Sequence, residues 1–169
     1  MIVVLMGVSG SGKTTIGTVL AGKAGATFAD ADDYHPAANK QKMAAGHPLN
    51  DEDRQPWLET LNRLMVGWFE AGASGVLACS ALKDKYRKTL SAGMPAGAVH
   101  FVLLDGSKEM IAERLAARHH EYMNPALLES QFATLETPGE DDPSAFKVVN
   151  DKAPDDVADE ILRRIGLEK

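Results

Sequence analysis

The stretch Gly7-Val8-Ser9-Gly10-Ser11-Gly12-Lys13-Thr14 limits what this chain can fold into more than any other. It has the form G-x-x-x-x-G-K-[ST]. It directly follows the apolar run Ile2-Val3-Val4-Leu5-Met6, and Thr15 to Lys23 after it read as a helix. Strand, glycine loop and helix in that order are the setting in which this motif cradles phosphate. Gly7, Gly10 and Gly12 let the backbone take positive φ and come close to an anion. Successive N–H groups along Gly7, Val8, Ser9, Gly10, Ser11 and Gly12 then converge on phosphate oxygens. The positive end of the helix that begins at Thr15 adds to this attraction. Lys13 has the reach and charge for the β- and γ-phosphates, and the Thr14 hydroxyl suits Mg²⁺. The motif implies a nucleoside triphosphate without saying what is done with it.

The chain has 169 residues, a length that suits one domain, and its 44% hydrophobic and 25% charged composition is that of a globular protein with one core. Its net charge of −6 and the lack of any basic block argue against nucleic acid as a partner. The single cysteine, Cys79, has no partner for an internal disulfide and closes an apolar run, so it reads as a small core residue. The first apolar run is five residues with no basic flank, too short for a signal peptide, and nothing approaches the length of a membrane span. A cytoplasmic setting is the simple expectation.

Four further strands are predicted, at Thr27–Ala29, Val76–Cys79, Ala98–Leu104 and Phe146–Val149. The runs near 77 and 101 are continuously apolar, as in strands covered on both faces. Helical segments lie between the strands. The chain therefore reads as α/β, a five-stranded parallel sheet with helices on both faces, in one domain spanning 1–169. The clearest helix runs from about Asp51 to Ala71, where Trp57, Leu58, Leu61, Leu64, Met65, Trp68 and Phe69 form a stripe of period near 3.6. Asn50 is its N-cap, Asp51, Glu52 and Asp53 suit its positive end, and Gly72 closes it. A last helix opens with Pro154-Asp155-Asp156 and packs through Val157, Ile161, Leu162 and Ile165.

Ligands of an open parallel sheet bind beyond the carboxyl ends of its strands. Asp30-Ala31-Asp32-Asp33-Tyr34-His35-Pro36 follows the second strand, so its carboxylates belong to the same edge as the glycine loop. Asp30 and Asp32 share a face if the chain is extended. One suits Mg²⁺ held through water, the other a hydroxyl whose proton it takes. The plain alternative is a solvated acidic turn, and Asp33 and His35 read as local turn or capping groups.

Arg54 lies in the first turn of the long helix, where a cation opposes the dipole. It serves either a ligand or a surface ion pair with its acidic neighbours. After the third strand, Lys83 and Arg87 stand four apart on one helix face, suited to an anionic substrate, whereas Lys85 and Lys88 read as solvated. Arg114 and Arg118 lead into the irregular His119–Pro125, which reads as a short lid around 118–126. Arg114 suits stacking on a purine and Arg118 the charge on the γ-phosphoryl oxygens. Both also suit a helix C-terminus with no ligand. Adjacent His119 and His120 lack a third ligand and do not read as a metal site.

The D-x-x-G and N-K-x-D pair of a GTPase is absent, and the third strand ends in Ser80-Ala81-Leu82-Lys83 rather than the acidic pair of a motor. A small phosphotransferase fits better. The chain here resembles the gluconate kinases, within the small P-loop kinases that also include shikimate and adenylate kinases. The resemblance rests on Leu5–Thr14, Asp30-Ala31-Asp32 with His35-Pro36, Gly46–Leu58, Cys79–Lys83 with Tyr86-Arg87, Arg114, Arg118 and Leu127–Glu136. These blocks span nearly the whole chain, and those at Leu49–Leu58, Ser80–Lys83 and Leu128–Gln131 are the most specific. The resemblance implies the P-loop kinase fold and ATP- and Mg²⁺-dependent phosphorylation of D-gluconate at its 6-hydroxyl, commonly by a homodimer. It implies Asp30 holding Mg²⁺ through water and Asp32 meeting the substrate hydroxyl. Arg54, Lys83 and Arg87 are then candidates for the sugar acid. The run His120-Glu121-Tyr122-Met123 departs from the family's usual His-Phe-Met-like lid. A kinase for another acceptor of the same fold and a non-catalytic ATP-binding module are the rival readings.

Overall fold

The computed structural model describes residues 1–7, 12–47, 49–80, 83–95, 97–105 and 145–166. Within them lie strands β1 (Ile2–Met6), β2 (Thr27–Asp30), β3 (Gly75–Ala78), β4 (Val99–Asp105) and β5 (Ala145–Val149). The helices are α1 (Lys13–Ala24), α2 (Ala37–Ala44), α3 (Asp51–Glu70), α4 (Asp84–Leu90) and α5 (Pro154–Arg164). Each predicted strand is present, with ends within one residue of those expected.

The strands form one parallel sheet in the order β2-β3-β1-β4-β5. β1 is central, with Leu5 level with Ala78 of β3 and with Val102 of β4. The chain leaves β1 to build one half of the sheet and returns past it to build the other. Groups following β1 therefore sit at a topological switch point, where such sheets bind ligands.

Side-chain alternation sends β1 residues to both faces. Ile2, Val4 and Met6 pack with Trp57, Leu58, Leu61 and Met65 of α3 and with Leu90 of α4. Val3 and Leu5 pack with Ile16 and Leu20 of α1 and with Val157 and Ile161 of α5. All five β1 residues are buried, which explains why the run is unbroken by polar residues. β5 lies at an edge, and its Val149 is half exposed.

α3 begins as its sequence predicts. The Asn50 side chain accepts from the Asp53 N–H at 2.8 Å, and the Asp53 carboxylate accepts from the Asn50 N–H at 2.9 Å, a reciprocal capping box. Lys42 of α2 adds an ion pair to Asp53 at 2.6 Å. That contact first, and the Asn50 N–H second, hold the Asp53 carboxyl below its usual range. The predicted stripe holds for Trp57, Leu58, Leu61 and Met65. Leu64 and Trp68 pack against the same core, Trp68 over Gly75 of β3, whereas Phe69 is 43% exposed.

Candidate active site

The first half of the site is the end of β1. Gly7 takes φ 145° and Gly12 takes φ 99°, both in the region that side chains avoid. Gly12 is the residue before α1, and a Cβ on it would lie 2.4 Å from Asn150 Nδ2. Glycine is therefore required there twice, by backbone conformation and by space. Lys13 opens α1 and folds back, its ammonium donating to the Gly7 carbonyl at 3.0 Å. The loop residues Val8, Ser9, Gly10 and Ser11 lie outside the described residues, as do Arg114, Arg118 and the 118–126 segment.

Thr14, one residue on, donates its hydroxyl to Asp30 Oδ2 at 3.3 Å. The glycine-loop helix and the end of β2 thus meet, as the position of both at the carboxyl edge requires. Asp30 Oδ1 accepts the Asp32 N–H at 3.0 Å and so caps a single 3₁₀ turn, Ala31–Tyr34. This corrects the expectation that Asp30 and Asp32 share a face of extended chain. Only Asp30 is extended, and Asp32 is already in the turn that Asp30 caps. The Asp32 side chain is 82% exposed.

Among the described residues no cluster of three or more His, Cys, Asp and Glu side chains is placed to hold a metal. The Thr14 hydroxyl and the Asp30 carboxylate are hard oxygen donors beside a phosphate cradle. That donor set fits Mg²⁺, which keeps most of its waters and takes few protein ligands.

His35 departs further from its expected role in a local turn. It is buried, stacks on Trp57 with ring centroids 4.2 Å apart and planes 14° apart, and has Nε2 3.8 Å from Asp32 Oδ1. Trp57 is itself fastened by its indole N–H, which donates to the Ala31 carbonyl at 2.7 Å. Burial first, then the charges of Arg54 and Lys40, bring the His35 pKa down to about 4.

The second half of the site joins the start of α3 to α4. Tyr86 donates its hydroxyl to Asp51 Oδ1 at 2.5 Å and accepts from the Arg54 guanidinium at 3.1 Å. Arg54 and Lys83 flank the Tyr86 ring at 5.4 Å and 5.7 Å from its centroid. Asp51 also accepts from Lys83 at 3.4 Å and pairs with Lys85. Hydrogen bonds from Lys85, Tyr86 and Lys83 in that order hold the Asp51 carboxyl far below its ordinary range, whereas burial and Asp51 raise the Tyr86 pKa. Lys85 is exposed, as expected, and is in addition an Asp51 partner, because α4 starts against the first turn of α3. Lys88 instead pairs with Asp84 at 3.2 Å on the exposed side. Lys83 is the N-cap of α4, and Arg87, one turn further on, is buried. Among the described residues Arg54 makes no ion pair with its acidic neighbours, which leaves its ligand role open. Its partner is Tyr86, across the helix pair.

Two residues of this edge were missed by the sequence reading. Tyr86 is the hub between Asp51 and Arg54. Its spacing of three from Lys83 and one from Arg87 in a helix start was the available signal. Asn150 follows β5 directly, is buried, and seats its amide over Gly12. Its position after a strand at the carboxyl edge was a usable clue.

The sequence matches the family described as AAA domain over residues 2–138. It is 44% identical to the gluconokinase of Gluconobacter oxydans over 166 residues, covering 98% of this chain and 91% of that protein. Among solved structures, a sugar kinase from a Janibacter species superposes with a TM-score of 0.90 at 42% identity, covering 98% of this chain and 94% of that one. A gluconokinase from Sinorhizobium meliloti superposes with a TM-score of 0.86 at 36% identity, covering 96% and 90%.

Proposed function

This chain belongs to the gluconokinases, within the family described as AAA domain, and we propose that it transfers the γ-phosphoryl group of ATP to the 6-hydroxyl of D-gluconate. The products are 6-phospho-D-gluconate and ADP. The observation that carries this reading is the meeting of Thr14 with Asp30 at 3.3 Å, one turn from Asp32. It supports a triphosphate cradle, oxygen donors for a cation and a carboxylate for a hydroxyl proton sharing one edge of the sheet.

In this reading the N–H groups of Gly7 through Gly12, with Lys13, Thr14 and Thr15, bind the triphosphate. Mg²⁺, held by Thr14 and through water by Asp30, supplies charge neutralisation across the phosphates when bound. Asp32 accepts the proton of the 6-hydroxyl as its oxygen bonds to the γ-phosphorus and the bond to the ADP oxygen breaks. Lys13 and Arg118 offset charge on the transferring group, and Arg114 stacks on the base. Arg54, Lys83 and Arg87 take the sugar acid. Gluconate is an anion, and Arg54 and Lys83 bring two cations to one tyrosine ring, which supports this assignment. The reading includes a homodimer in the cytoplasm. Among the described residues no helix is long and apolar enough to cross a membrane.

The test is ADP release from MgATP with gluconate, shikimate, nucleoside monophosphates or no acceptor offered in parallel. A rate dependent on gluconate and well above the others is expected. Equal rates across all acceptors, from folded protein that binds ATP, would remove gluconate as substrate and favour the non-catalytic module.

Tyr86→Phe tests the acceptor pocket separately. It deletes the hydroxyl shared by Asp51 and Arg54 while keeping the ring. The KM for gluconate should rise about 3- to 10-fold, on the order of 1 kcal/mol, the scale of one hydrogen bond. The KM for ATP should stay near its starting value. An unchanged gluconate KM would mean that Arg54 does not meet the substrate from where Tyr86 holds it.

A further inference from the structure

The turn that carries Asp32 is backed by a buried group that the reaction as described does not use. His35 lies between Asp32, Trp57 and Asn39, and its contacts fix both its orientation and its tautomer. The Asn39 amide nitrogen donates to the Asp53 carbonyl at 2.8 Å, and a carbonyl only accepts, so this end of the Asn39 side chain is the nitrogen. The same nitrogen lies 3.3 Å from His35 Nδ1. A donor facing a ring nitrogen requires that nitrogen to accept. Nδ1 therefore carries no hydrogen, and the proton of the neutral ring is on Nε2. Nε2 is the atom that points to Asp32, 3.8 Å from Oδ1.

We infer that His35 is a positioning residue for Asp32, its Nε2–H holding one carboxylate oxygen so that the other is presented to the acceptor hydroxyl. This rests on the reading of Asp32 as the base. The stack on Trp57 and the Asn39 contact stop the ring from turning, so the donor direction is set by α2 and α3 and not by the turn itself. At 3.8 Å the contact is longer than a hydrogen bond. The Asp32 side chain is 82% exposed, and the inference requires it to turn toward Nε2 in the substrate complex. Hydrogen bonds to catalytic groups are often long before substrate binds and shorten in the complex. The low His35 pKa keeps the ring neutral at neutral pH, and the Asn39 contact favours the Nε2–H tautomer.

Three variants and one spectrum test this. His35→Phe keeps a ring against Trp57 and removes the donor. His35→Gln keeps an N–H near the position of Nε2. Asp32→Asn is measured alone and combined with His35→Phe. For His35→Phe, kcat should fall about 10- to 100-fold, the scale of misplacing a reacting group, with the KM for ATP within twofold. His35→Gln should recover part of that loss. In the Asp32→Asn background, His35→Phe should cost little more, since the two act as a unit.

Wild-type kcat in folded His35→Phe, or an equal loss with and without Asp32, overturns the inference while leaving Asp32 as base. Wild-type kcat in Asp32→Asn instead overturns the base reading, and the inference with it. Imidazole ¹⁵N shifts of the wild-type protein near pH 7 provide a readout that needs no variant to fold. The Nε2–H tautomer is expected at His35, and an Nδ1–H tautomer overturns the inference.

Discussion

Asp32→Asn should lower kcat by about 10²- to 10⁴-fold, the range for a general base, with ATP affinity changed by no more than about twofold. The substitution is nearly isosteric, and the side chain is 82% exposed. The Asp32 N–H remains bound to Asp30 Oδ1, so the 3₁₀ turn keeps its cap. Thr14 and Asp30 are untouched, so the cation and triphosphate side of the site keeps its donors. What is lost is a group able to accept the hydroxyl proton during transfer. Steady-state kcat, with ATP binding followed by calorimetry, separates these effects. Full turnover in the variant would remove Asp32 as the base. A parallel loss of ATP affinity would instead assign it to the phosphate side.

Lys13→Ala should reduce kcat by about 10²- to 10³-fold, the scale of deleting one preorganised charge at a transition state. Gluconate binding should change far less. Lys13 is the first residue of α1, where alanine is an excellent helix former, so the helix persists. Its ammonium bridges back to the Gly7 carbonyl across the loop, 3.0 Å away, which keeps the charge over the cradle. The backbone N–H groups survive the substitution, so ATP still binds, more weakly. The developing charge on the transferring oxygens then loses the cation assigned to it beside the cradle. Kinetics varying each substrate in turn would check this. A gluconate KM that rises as steeply as kcat falls would place Lys13 on the acceptor and contradict the assignment.

The two halves of the site were unequally legible. Gly12, Lys13 and Thr14 could be placed from the motif, since a glycine loop between a strand and a helix has few arrangements. Asp30 could be placed because it ends a strand of the same parallel sheet. The Asn50 cap was legible because capping is settled within four residues. The roles of Asp32, Lys85 and Arg54 relative to their neighbours were not. Alternation of side chains was applied to Asp30-Ala31-Asp32 although the strand stops at Asp30, where the Asp30 carboxylate captures the next turn. Lys85 was judged by its own helix, but the carboxylate it meets is 34 residues away on α3.

Local signals thus determined the order of strands and helices, the phosphate cradle and the helix caps. These depend on the period of apolar residues, on glycine φ and on hydrogen bonds spanning a few residues. The packing of α3 against α4 and of α2 beneath the 3₁₀ turn settled the rest. That packing chose Tyr86 as the partner of Asp51 and Arg54 and brought the Asn39 amide to His35 Nδ1, while the end of β5 seated Asn150 on Gly12. A hydrogen bond between distant residues has no period and no composition. It exists only once burial of the apolar faces has brought its two ends together.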